Sequence, residues 1–295
     1  MKHAAAIVLA AVLAQALLVT LFVLPGHKPE PHDVPVAVAG PPQAAAQLEQ
    51  RARGAIDAFT TTDPQAAVLD RDAYAAVLPQ ERTLLVATAA SPAVAQMLQT
   101  ALADVAPTVR ELRPLDPDDP RGATFNLMML PLIVVALPLA FALTRLDSNP
   151  LLPALAFSLL AGFAVTAIVS LAIGALPGSY LGLSAVGTLL VASVALFATG
   201  LARLLGPPGI GLAALIVFLI GNPGSGAASA PELLPGFWRA VGPLLPPGAG
   251  ATALRNVAYF DGAALATPLI VLAAFAALGA VLLLAPKRRA QTAPT

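Results

Sequence analysis

Cysteine is absent from the 295 residues, so disulfides, thiolate metal sites and cysteine nucleophiles are all excluded. Histidine is nearly so: His3, His27 and His32 are the only three, none inside an apolar run, which leaves no histidine triad or histidine metal cage within a membrane. Charge is scarce too. Lys, Arg, Asp and Glu make up 11% of the chain, against roughly a quarter in a soluble domain. No strongly basic segment points to nucleic acid. No G-x-x-x-x-G-K-[ST] phosphate loop occurs, so the chain does not bind ATP in that manner.

What the chain has instead is apolar length. Hydrophobic residues make up 58% of it and the mean hydropathy is +0.81, the composition of a membrane protein. A crossing helix needs about 20 apolar residues. Five stretches meet or approach that length, at about 4–24, 125–144, 151–173, 181–202 and 263–285, and a sixth at 207–221 is short. No charge occurs from Ser148 to Ala202, so Pro177, Gly178 and Tyr180 mark a minimal turn between two helices. The first stretch is longer than the apolar core of a signal peptide and lacks a small-x-small cleavage site, so it reads as a retained helix.

The 16 basic and 16 acidic residues cancel in sum but are segregated along the chain. With six crossings and both termini in the cytoplasm, the cytoplasmic pieces hold Lys2, Arg145, Arg203, Lys287, Arg288 and Arg289 against Asp147 alone. The segment between the first two spans then lies outside with 8 bases and 13 acids. That is the positive-inside pattern. The expected fold is therefore an α-helical polytopic protein of the cytoplasmic membrane. It has a first span (1–25), an extracytoplasmic α/β domain (26–123), spans two to five (124–221), an external segment (222–262), a sixth span (263–285) and a cytoplasmic tail (286–295).

Within 26–123, a proline-rich stalk "PGHKPEPHD" precedes a strand at 34–39 and a helix at 42–53. Asp63-Pro64 caps a second helix running to about Val77, "TLLVAT" (83–88) is a strand, Ser91-Pro92 opens a third helix, and 108–113 closes the pattern as a strand. Strand–helix alternation of this kind implies a small α/β sandwich. Two sets there tempt a metal assignment, His27, Glu30, His32 and Asp33, and Asp116, Asp118 and Asp119. Neither has a glycine-pinned ligand loop and prolines keep several side chains from converging, so they read as a solvated stalk and a solvated turn. The Asp70/Asp72 pair reads as a wet helix face. No cofactor is expected.

The spans contain no ionisable residue, which removes the usual proton or sodium relay. Their polar content is Gln15, Thr20, Asn126, Ser158, Thr166, Ser170, Ser184, Thr188, Ser193 and Thr199, groups that join helix to helix or line a path. Pro131 and Pro138 should bend the second span, as a packing kink or a hinge.

In the external segment, "ELLPGFWRAVGPLL" offers Phe237 and Trp238 to an interface and Arg239 to headgroups or water. The prolines and glycines at 243–250 are expected to break that piece before a second short helix, "ATALRNVAYF", and Asp261-Gly262 to turn the chain into the last span. Two short helices that dip into the outer leaflet and return need protein or a cavity to satisfy their backbone, so the segment reads as a lid or plug over the mouth of a pathway, or as an interfacial anchor.

The motifs "GNPGSG", "PELLPGFW", "GPLLPPGAG" and "LRNVAYFDG", with "DPRG" leading into the second span, resemble actinobacterial type-2 ABC transporter permeases, which overlap with the phage-infection-protein (Pip) family. The resemblance covers nearly the whole chain. It implies six helices per half, re-entrant external helices between the fifth and sixth, homodimeric or heterodimeric assembly, and a separate ATPase subunit. It places Glu232, Trp238, Arg239, Arg255 and Asp261 in the external gate. The chain departs from that pattern in offering an ATPase little to grip: Met1-Lys2-His3 before the first span and "RLDSNP" (145–150) in the second loop, where Arg145 and Asp147 are the coupling candidates. The chain itself is then not an enzyme. The function expected is export of a hydrophobic or amphipathic compound, powered by a separate ATPase. The alternative is a non-pumping envelope protein whose outer domain binds a partner or secretion machinery.

Overall fold

The computed structural model describes residues 2–27, 29–117, 119–146 and 148–284. It is a mainly helical chain carrying one small sheet. Helix α1 (Lys2–His27) leads to the α/β domain, whose elements follow as β1 (Val34–Val38), α2 (Pro42–Ala52), β2 (Ile56–Thr60), α3 (Pro64–Leu69), β3 (Ala75–Leu78), β4 (Thr83–Val86), α4 (Pro92–Ala101) and β5 (Thr108–Glu111). The five strands lie in the order β2-β1-β3-β4-β5. All neighbours are parallel except the β3–β4 hairpin, where Ala76 faces Leu85.

Capping explains where the helices begin. Asp63 Oδ1 accepts from the Ala66 amide at 2.8 Å and Ser91 Oγ from the Val94 amide at 3.2 Å, each just ahead of a proline in the first helical turn. The second helix is shorter than its sequence suggests. It stops at Leu69 because Arg71 adopts φ +71°, and residues 75–78 form the buried strand β3, not a helical continuation to Val77. A short apolar run buried on both faces carries no period to tell strand from helix. Strand β2, an exposed edge reading "IDAFT", is an element the sequence pattern did not announce.

Four helical stretches among the described residues are long and apolar enough to cross a membrane: Ala123–Leu143, Leu151–Ala172, Tyr180–Leu205 and Ala266–Leu284. The apolar stretches Ala11–His27 and Pro207–Gly221 are shorter. The first of the four comprises α5 (Ala123–Val134) and α6 (Ala136–Leu143), interrupted at Val135. That break falls between Pro131 and Pro138, and Pro138 has no amide hydrogen to give the Val134 carbonyl. Helix α7 (Leu151–Thr166) runs into a π-helical stretch, Ala167–Ala172, as α9 (Pro207–Ala213) does at Ala214–Gly221.

Helix α8 (Tyr180–Leu205) is the hub, buried along most of its length between α7 and α12 (Ala266–Leu284). Small residues let the backbones touch. A Cβ on Gly200 would sit 2.7 Å from the Gly279 carbonyl oxygen, and one on Gly279 would collide with the Leu196 backbone. Such contacts supply the dispersion that joins helices where no hydrophobic effect operates between them. Ser158, Ser193 and Thr199 return their hydroxyls to carbonyls of their own helices. The Ser184, Thr188 and Ser170 hydroxyls have no hydrogen-bond partner among the described residues. Asp118, Asp147 and the cluster Lys287, Arg288 and Arg289 lie outside the described residues.

Candidate functional site

Between Gly221 and Ala266 the chain makes an inserted hairpin. From a short 3-10 turn at Pro223–Ser225 it rises to a second at Pro231–Leu233, descends through α10 (Gly236–Val241) and Gly242–Leu244, and returns as α11 (Pro246–Tyr259). Helix α11 starts earlier than expected. Pro246 and Pro247 do not break it but open it, occupying the first turn where a missing amide hydrogen costs nothing. Its glycines allow close approach: a Cβ on Gly250 would lie 2.7 Å from both Leu190 methyls, and one on Gly182 would meet Val257. Helix α11 therefore runs antiparallel to the start of α8. Gly250 lies seven residues from Val257, which puts it about 10 Å further into the bundle. The hairpin thus enters the bundle partway. Its apex also meets the end of the short fifth stretch, where a Cβ on Gly221 would sit 2.9 Å from Pro247 Cγ.

Away from its apex, the hairpin is tied to the α/β domain at several points. The His32 amide donates to the Glu232 carbonyl at 3.0 Å, and Tyr74 Oη donates to Glu232 Oε2 at 2.8 Å. Arg71 Nε donates to Asn256 Oδ1 at 3.2 Å. Two ion pairs flank these, Arg239 to Asp33 at 2.7 Å and Arg113 to Asp261 at 2.6 Å. Apolar packing adds to them, because Ala230, Leu233 and Phe260 belong to the same buried cluster as strands β1, β3 and β4. Burial, and then the neighbouring Glu232 carboxylate, push the Tyr74 hydroxyl above the ordinary tyrosine range. It stays protonated and keeps donating.

Beside these contacts lies a half-open cavity of about 410 Å³, lined among others by Asp33, Arg71, Tyr74, Glu232, Arg239 and Arg255. Arg255 is the most buried charge in its lining. It is 8% exposed, stacks over the Phe125 ring at 4.6 Å and donates from Nη2 to the Ala227 carbonyl at 2.8 Å. Arg71 lies between the Tyr74 and Phe260 rings, 5.2 and 4.7 Å from their centroids.

Of the residues singled out in the sequence, Glu232, Arg239 and Arg255 meet at this cavity. Asp261 lies apart, holding Arg113 at a turn with φ +53°. Phe237 and Trp238 stack edge to face at 5.2 Å, Phe237 outward and Trp238 against Gly224, with Trp238 Nε1 lacking a partner among the described residues. Pro131 and Pro138 flank the α5–α6 break. Arg145 stacks on Phe141 at 4.7 Å in the exposed loop after α6. Arg71, Tyr74, Asn256 and Arg113 were not foreseen as site residues, and His32 and Asp33, read as part of a solvated stalk, line the cavity instead. Asp72, read as part of a wet helix face, sits in the turn after α3 and lines the cavity mouth, exposed. Among the described residues no group of three or more His, Asp or Glu side chains is placed to hold a metal ion. No family model matches the chain, and neither a curated protein nor a solved structure matches it.

Proposed function

We propose that this chain is a permease-like membrane subunit of the type-2 ABC kind, with six crossings, both termini cytoplasmic and the α/β domain outside. In this reading the inserted hairpin is the external gate. The subunit works as a homodimer or heterodimer and moves a hydrophobic or amphipathic compound across the cytoplasmic membrane with energy from a separate ATPase. The observation that supports it best is the set of ties between the hairpin and the α/β domain, Tyr74 to Glu232, Arg71 to Asn256, Asp33 to Arg239 and Arg113 to Asp261. A partly inserted hairpin held from outside is what a closable mouth requires. Apart from Arg203 in the last turn of α8 and Tyr180 at its start, the four long apolar helical stretches carry no ionisable group, which favours an external power source.

A second reading rests on the shared apolar core. Ala230, Leu233 and Phe260 bury themselves in the α/β domain, which suits a fixed envelope protein presenting that domain to a partner. Co-purification in mild detergent separates the two. Transport predicts an ATPase retained in stoichiometric amount and turnover lost in Arg145→Glu. Absence of any ATPase under every mild condition favours the fixed envelope protein.

A further inference from the structure

The cavity beneath the α/β domain has more cationic hydrogen-bonding capacity than its own walls use. A guanidinium carries five N–H donors. The hydrogen bonds of Arg71 and Arg255 within the described residues engage one donor each, Nε to Asn256 and Nη2 to Ala227. Neither makes an ion pair among the described residues. Of the carboxylates around the cavity, Asp33 is held by Arg239, Glu232 is held by Tyr74, and Asp72 is exposed to solvent at the mouth. The lining carries three guanidinium groups, Arg71, Arg239 and Arg255, and three carboxylates, Asp33, Asp72 and Glu232; with Arg239 paired to Asp33 and Asp72 exposed, Arg71 and Arg255 are left with Glu232. None of their remaining nitrogens is a fully buried donor without a partner, so these stay within reach of a ligand in the cavity, while the guanidinium planes stack on Phe125, Tyr74 and Phe260. Stacking also fixes each guanidinium plane and leaves its edge free for two-point contact with an oxyanion.

We propose that Arg71 and Arg255 form a binding site for a phosphate-type oxyanion, in the cavity between the α/β domain and the inserted hairpin. The site's volume of about 410 Å³ falls within the range of small-molecule pockets, roughly 300–1,000 Å³. The walls belong to both bodies: Arg71 and Tyr74 come from the domain, Glu232 and Arg255 from the hairpin. A bound oxyanion therefore bridges them and holds the hairpin closed against the domain. The inference goes beyond the transport reading and does not rest on it. The same chemistry has two sources, the phosphodiester of a lipid headgroup and free phosphate.

The test uses the purified full chain in maltoside detergent. Binding of phosphatidylglycerol and of diacylglycerol is followed by native mass spectrometry, and binding of inorganic phosphate by calorimetry. Saturable binding of phosphatidylglycerol or of phosphate at one site is expected, with none of diacylglycerol. Arg71→Gln and Arg255→Gln should each weaken it at least tenfold, and Arg110→Gln, on the exposed strand β5, should leave it unchanged. Phosphatidylglycerol binding without phosphate binding assigns a lipid headgroup; phosphate binding assigns a free oxyanion. Arg71 is only half-buried, so Arg71→Gln carries the test if Arg255→Gln does not fold. Absence of binding to both phosphate probes overturns the proposal, as does equal binding by wild type and Arg71→Gln.

Discussion

Magnitudes decide which of the ties between domain and hairpin hold. Asp261 and Asp33 are 84% and 66% exposed, so the ion pairs they make contribute about 0–1 kcal/mol each. The Tyr74 hydroxyl is buried and donates to a carboxylate, a bond of about 1.5–3 kcal/mol. Tyr74→Phe should therefore lower the free energy of unfolding by about 1.5–3 kcal/mol, while Arg113→Ala should cost less than about 1 kcal/mol; denaturant titration of the detergent-solubilised chain checks both. Equal losses would mean that the exposed pairs hold the domain down as firmly as the buried bond does. Half of this site was legible in the sequence. Glu232 entered only through the family resemblance, whereas Arg239 and Arg255 stood out as charges in an apolar neighbourhood. Arg71 and Tyr74 did not, because they lie in an ordinary polar turn whose partners are 185 and 158 residues away, and no local pattern encodes such a pairing.

Helix α8 carries the clearest test among the elements. Its contact with α12 at Gly200 and Gly279 leaves no room for a side chain, whereas a Cβ on Gly211 in α9 meets nothing within 4 Å. Gly279→Leu should abolish monodisperse protein in size-exclusion chromatography, and Gly211→Ala should be neutral or stabilising. A monodisperse Gly279→Leu variant would show that the two helices are free to separate. The long apolar helices were legible because length and composition alone define them. Strand β3 was misread as helix because four apolar residues, three of them buried, have no period, and β2 was missed because an exposed edge alternates too weakly. The prolines opening α11 were misread as breakers, since the same residue starts a helix or ends one according to position.

At the scale of the molecule, the hairpin explains the short fifth stretch. Pro207–Gly221 has fifteen residues, the last eight of them π-helical, so it rises less than about 22 Å, and the chain then meets Pro247 at the hairpin's apex. The α/β domain is tied to the hairpin, so the gate reading depends on which side of the membrane the domain faces. Sorting of charge predicts the outside, with acids on the domain and Arg145 and Arg203 at the opposite ends of their helices. The chain has no cysteine, so single-cysteine variants report without background. Asp57→Cys on β2 and Arg145→Cys after α6 both place a thiol at an exposed position. In intact cells a membrane-impermeant maleimide should label Asp57→Cys fully and reach Arg145→Cys only after permeabilisation. Labelling of Arg145→Cys in intact cells with Asp57→Cys protected would put the domain in the cytoplasm and contradict the external gate.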